Sequence, residues 1–94
     1  MFIGLIKLNL TINLQISSLK DKRRIVKGIK DKLRNSFNIS ISEIDQLDKY
    51  YQAGLGISLV SNDKKTINTV IGRILNTMEN MSSVTIENIE TEIL

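Results

Sequence analysis

The apolar residues of this chain change their spacing in a fixed order, and that order limits the fold more than any single residue does. In Phe2–Leu14 they alternate. Phe2, Ile6, Leu8, Leu10, Ile12 and Leu14 fall on one side with Gly4, and Ile3, Leu5, Lys7, Asn9, Thr11 and Asn13 fall on the other. A period of two is the mark of a half-buried strand. In Lys20–Arg34 the spacing becomes helical. At roughly 100° per residue, Ile25, Val26, Ile29 and Leu33 share an arc of about 100°. Ser18 followed by Asp21 gives the start of this helix a capping box, with Asp replacing the usual Glu, and the helix should end near Asn35 or Ser36. Alternation returns at Phe37, Ile39 and Ile41. It resumes at Ala53, Leu55, Ile57 and Leu59 after a polar hairpin loop at Asp45–Lys49. Ser61-Asn62-Asp63 has helix-capping chemistry, and Ile67, Val70, Ile71, Ile74 and Met78 form a second helical stripe. Val84 and Ile86 begin a last strand whose apolar phase flips to Ile89 and Ile93, which predicts a β-bulge or bend near Asn88.

The predicted order is β-α-β-β-α-β in one domain spanning residues 1–94. Two crossovers joined by a hairpin build a four-stranded antiparallel sheet with both helices on one face, the ferredoxin-like arrangement. A chain of 94 residues buries only about 60–65% of its unfolded surface, so its core must be continuous. The other sheet face stays open, with Ile3, Leu5, Lys7, Asn9, Gln52, Gly54, Gly56, Ser58 and Val60 as its expected members. The two glycines should leave a shallow floor there.

Charge is distributed unevenly. Eight of the thirteen Lys and Arg residues lie in Lys20–Arg34 with two acidic ones, a local balance of +6. Asn76–Leu94 holds four acidic residues and no basic one. Lys20, Arg23, Arg24, Lys27, Lys30 and Arg34 share an arc of about 120° opposite the apolar one, interrupted by Asp31. Such a face suits phosphate contact, because each phosphate neutralised releases counterions; it equally suits a solvated, solubilising helix face. Lys22 stands apart, near the centre of the apolar arc, where it is expected either to snorkel past the sheet edge or to pair with a carboxylate such as Glu43.

The chain has no Cys and no His. Disulfides, thiolate metal sites and thiol nucleophiles are excluded, as are His-dependent catalysis and His-ligated metals. No apolar run is long enough to span a membrane, and Lys7 breaks the N-terminal apolar segment that a signal peptide would need. The expectation is a cytoplasmic protein without cofactor, metal or catalytic constellation. Asp45 and Asp48 supply too few oxygens for calcium. Gly54-Leu55-Gly56 is too short for a phosphate loop. Glu87, Glu90 and Glu92 read as strand residues that discourage edge pairing.

Several motifs occur together: Ser18, Leu19, Lys20, Lys22 and Arg23; then Leu33, Arg34, Phe37, Asn38, Ser40 and Glu43; then Tyr50, Leu55, Gly56, Val60, Ser61, Asn62 and Asp63. Together they resemble the YlxP-like family of small bacterial proteins, which reads SLK-x-KR, LR-x-x-F-N-V-S-V-x-E, an aromatic, and LG-x-x-x-V-S-N-D. Ile39 and Ile41 replace the usual Val, Tyr50 stands where many members have Trp, and Gln52 stands where a basic residue is expected. The resemblance implies a ferredoxin-like fold. It implies little about activity, because the family is one of unknown function; its genes often lie among those for transcription and translation factors, which associates it with ribosome assembly or RNA contact. The first functional expectation is a non-enzymatic protein that contacts structured, ribosomal RNA through the basic helix. The alternative is an interaction module that dimerises or docks a partner through Ile3, Leu5 and Val60 on the open sheet. Base stacking on that sheet is not expected, since the aromatics that RNA-recognition sheets use are missing there.

Overall fold

The computed structural model describes residues 1–94. Its elements are β1 (Phe2–Ile12), α1 (Leu19–Ser36), β2 (Ser40–Asp45), β3 (Gln52–Ser61), α2 (Lys64–Glu79) and β4 (Val84–Ile93). The four strands form one sheet in the order β2-β3-β1-β4, and every neighbouring pair is antiparallel. This is the ferredoxin-like βαββαβ fold.

The buried side chains follow from the two periods. Ile6, Leu8, Leu10 and Ile12 of β1 and Ala53, Leu55, Ile57 and Leu59 of β3 face the helices. Val26, Ile29 and Leu33 of α1 and Ile67, Ile71, Ile74 and Met78 of α2 close over them. Gly4 is in the core phase of β1 and lets α2 sit close. A Cβ there would lie 2.6 Å from Ile67 Cγ2 and 3.1 Å from Leu59 Cδ2.

The predicted flip in β4 is a bulge. Leu10 pairs with Ile86 and Asn9 with Asn88, leaving Glu87 as the extra residue. It reverses the phase of the strand, so Ile89 and Ile93 return to the helix side opposite Leu8 and Gly4.

Three boundaries differ from the sequence expectation. β1 stops at Ile12, and Leu14 is exposed in the connection to α1. Phe37 does not open a strand but terminates α1, its N–H donating to the Leu33 carbonyl at 2.8 Å; β2 starts only at Ser40. β2 also runs through Asp45, which the sequence places in the loop. The turn that follows contains Gln46 at φ 60°, a left-handed conformation that is strained for a residue with a Cβ.

Candidate nucleic-acid interface

The start of α1 is set by Ser18, whose hydroxyl accepts a hydrogen bond from Asp21 N at 3.2 Å. The reciprocal half of the cap is shifted by one residue. Asp21 Oδ2 accepts from the backbone N and the hydroxyl of Ser17, at 3.1 and 3.0 Å, rather than from Ser18 N. The aspartate side chain is one methylene shorter than the expected glutamate. The bonds from the Ser17 backbone and hydroxyl, with a smaller contribution from the charge of Arg24, hold the Asp21 carboxyl below its ordinary pKa. Pinned in this way, the helix runs for 18 residues, about 27 Å at 1.5 Å per residue.

Along that length Lys20, Arg23, Arg24, Lys27 and Arg34 are exposed and Lys30 is half-buried. The structure places all six expected contacts on one side of the helix, but they are not equally free. Asp31 draws in two of them, pairing with Lys27 Nζ at 2.7 Å and with Arg34 Nη1 at 3.7 Å. Lys27 in turn lowers the pKa of Asp31. Arg34 also donates to the Ile41 carbonyl at 2.9 Å, bracing the end of α1 against β2. Lys20, Arg23, Arg24 and Lys30 make no ion pair, and neither does Lys32. Lys32 is exposed on the flank of the helix, and sequence reasoning missed it because its helical angle borders the apolar arc. The signal that finds it is the spacing Arg24-Gly28-Lys32, which puts the three residues in one row along the helix.

Lys22 is buried, at 1% exposure, and pairs with Glu43 as expected. Its Nζ lies 2.9 Å from Glu43 Oε2 and 2.6 Å from the Gln46 carbonyl. The alignment favours the carbonyl, so Glu43 Oε2 meets the charge without a well-directed hydrogen bond. The pair forms because Glu43 lies opposite Leu55 on the helix-facing side of β2. It ties the first turn of α1 to the strained β2–β3 turn.

The open sheet face brings Ile3, Leu5 and Val60 together. Ile3 pairs across the strands with Val60, which is 64% exposed, while Ile3 and Leu5 are half-buried. Exposed Ile44 adds to this face. The expected shallow glycine floor is filled instead. Ile44 Cδ1 lies 3.0 Å from where a Gly56 Cβ would sit, and Asp45 Cβ lies 2.6 Å from the equivalent point on Gly54. The cause is an irregularity in β2, which pairs Glu43 with Leu55 but Asp45 with Gly54. What remains is an open trough of about 410 Å³ whose β4 side carries Glu90 and Glu92. Lys7 stands opposite Glu90 in register but forms no ion pair with it. The two sides of the molecule thus differ in sign: α1 is cationic, and the β4 side of the sheet is anionic. No group of acidic side chains is placed to hold a metal ion, and no helix is long and apolar enough to cross a membrane.

Comparison with solved structures places the fold beside de novo designed proteins. A designed protein with ferredoxin fold, LFR1 1, known from a solution NMR structure, superposes over 99% of this chain and 85% of its own, with a TM-score of 0.54 and 14% identity. The designed protein Foldit4 superposes over 98% of this chain and 93% of its own, with a TM-score of 0.51 and 17% identity. Among natural sequences, the uncharacterized protein YlxP of Bacillus subtilis (strain 168) is 38% identical over 58 residues. That alignment covers 62% of this chain and 63% of the relative, a little under two thirds of its length. Residues 3–91 match the family described as Protein of unknown function (DUF503). With nearly its whole length inside that match, and with the motifs from Ser18 to Asp63 in place, the chain belongs to the DUF503, or YlxP-like, family.

Proposed function

We propose that this protein is a non-enzymatic binding protein that contacts structured RNA through α1. The observation that carries the reading is a row of cations on one side of α1, Lys20, Arg23, Arg24 and Lys30, that form no ion pair. Phosphate contacts of this kind depend on charge and shape rather than on base sequence. The anionic β4 side repels phosphate and so favours one orientation on a polyanion. Ribosomal RNA is the class to test first, because the gene neighbourhood associated with the family points to the ribosome.

The test is binding of a structured ribosomal RNA fragment, measured by fluorescence anisotropy at 50 and 200 mM salt. Four phosphates neutralised correspond to a loss of affinity on the order of a hundredfold between those salt concentrations. The combined variant Lys20→Glu, Arg23→Glu, Lys30→Glu should lose binding while keeping its circular dichroism spectrum and melting temperature. Unchanged affinity in that variant overturns the proposal.

A second reading has its own observation. Ile3, Leu5, Ile44 and Val60 share the open sheet face, and a cation, Lys7, lies beside the anions Glu90 and Glu92. A surface that carries both charge signs beside an apolar patch can complement a copy of itself across a two-fold axis, so a homodimer is the partner it fits. Sedimentation of the wild type against Ile3→Glu, Val60→Glu decides this, and a wild type that stays monomeric at high concentration removes the reading.

A further inference from the structure

A groove of about 440 Å³ runs beside the cationic row, between α1 and the turn that joins α2 to β4. Its volume lies within the range of about 300–1,000 Å³ typical of small-molecule sites. The apolar part of its lining includes the half-buried Ile25 and Met81. Arg24 and Lys32 stand on one rim, Ser82 and Ser83 on the other, and no carboxylate lines it. Neither cation is engaged by an ion pair.

Between the two cations is Gly28. Glycine is a poor choice for the interior of a helix, and a structural reason for it would be a neighbour packed against the backbone. There is none here: nothing lies within 4 Å of the Cβ that Gly28 lacks. What the missing side chain does provide is open space in the groove midway between Arg24 and Lys32, where a ligand can approach the helix closely.

We propose that this groove receives one unstacked nucleotide of the bound RNA, its base against Ile25 and Met81 and its flanking phosphates on Arg24 and Lys32. The inference rests on the RNA-binding reading and narrows it, from any structured RNA to one that presents an unpaired nucleotide beside a helix. The chemistry of the groove favours this occupant. The apolar lining takes the flat face of a base. The two cations lie eight residues apart on one helix, about 12 Å, and can grip phosphates on either side of it. The hydroxyls of Ser82 and Ser83 can donate to or accept from base edges. The trough on the opposite face is apolar as well, but Glu90 and Glu92 on its side repel a phosphate chain.

The experiment compares an RNA duplex carrying a single bulged nucleotide with the same duplex fully paired, by anisotropy at fixed salt. Three proteins are used: wild type, Gly28→Leu and Gly72→Ala. Gly72 is equally unencumbered on α2 and does not line the groove, so its variant controls for the general effect of removing a helix glycine. Leucine at position 28 is a better helix former than glycine, and its Cβ meets nothing within 4 Å, so the fold should persist, as melting will show. The wild type and Gly72→Ala should prefer the bulged RNA by about fivefold or more, the low end of what one stacked base contributes. Gly28→Leu should bind both RNAs with the affinity of the wild type for the paired duplex. Equal, salt-sensitive binding of both RNAs by the wild type overturns the inference and leaves the RNA reading standing. So does a preference that survives Gly28→Leu. Failure to bind either RNA overturns both.

Discussion

The Lys22–Glu43 pair makes an asymmetric prediction. Lys22 is sealed, with its side chain at 1% exposure, while the Glu43 side chain retains 11%. Removing one member of a buried ion pair costs about 3–5 kcal/mol, because the surviving charge is left uncompensated. In Lys22→Met the survivor is the Glu43 carboxylate, which can reach water at the sheet edge, so the loss should fall near 3 kcal/mol. In Glu43→Leu the survivor is an ammonium with only the Gln46 carbonyl beside it and almost no exposure to solvent, and the loss should approach about 5 kcal/mol. A domain of this size is stable by roughly 5–14 kcal/mol in total, so either change removes a large share. The double variant Lys22→Met, Glu43→Leu buries no charge and should regain most of the loss. Urea titrations followed by circular dichroism measure all four proteins. A cost under about 1 kcal/mol for Lys22→Met, or a smaller cost for Glu43→Leu than for Lys22→Met, would refute the reasoning.

Two further outcomes follow from close geometry and from charge. Gly4→Ala should destabilise by about 1–3 kcal/mol, because the new Cβ meets Ile67, a fully buried residue with nowhere to move. Gly56→Ala should cost far less, because its neighbour Ile44 is half-exposed and can swing aside; equal midpoints in urea for the two variants would contradict this. Asp21 titrates below its ordinary 3.8 in the folded chain. Its contribution is therefore fully present above about pH 3.8 and is lost as the pH falls through the folded-state value. Melts of wild type and Asp21→Asn between pH 7 and 2 should converge toward the acid end, and a gap that stays constant would show that the carboxylate is not the source.

Much of the fold was legible in the sequence because period and burial coincide in its long elements. Phe2–Ile12 and Gln52–Ser61 alternate over most of their length, and the α1 and α2 stripes each occupy one arc, broken in α1 only by Lys22. The β4 bulge was legible for the same reason: an apolar phase that flips has few physical explanations. The pairing of Lys22 with Glu43 was legible because a lysine in the middle of an apolar arc needs a counter-charge. β2 was harder. Phe37 and Ile39 have the right alternation, but Phe37 spends its N–H on the end of α1, and periodicity does not distinguish an extended cap from a strand. The closing of the glycine floor was also hidden, because it depends on how β2 slips against β3 at Ile44, a matter of register between strands. As for the candidate interface, the sequence shows the cationic face of α1. Asp31's hold on Lys27 and Arg34 is local to α1, at i+4 and i+3 spacing, and Lys32 lies in a row with Arg24 and Gly28; the groove over Gly28 emerges only when α1 is set against the rest of the chain.

The placement of β1 at the centre of the sheet has a consequence for synthesis. Leu8 pairs with Leu55 on one side and Ile89 on the other, so on the ribosome this apolar strand emerges long before either partner does. Both of its edges stay unpaired through most of translation, and pairings this distant in sequence are slow to form. In that interval FIGLIKLNLTI is the segment most liable to associate with other nascent chains. Lys7, the one charge in it, sits at its middle and remains exposed in the finished sheet. A charge inside such a segment opposes its association while its partners are still unmade.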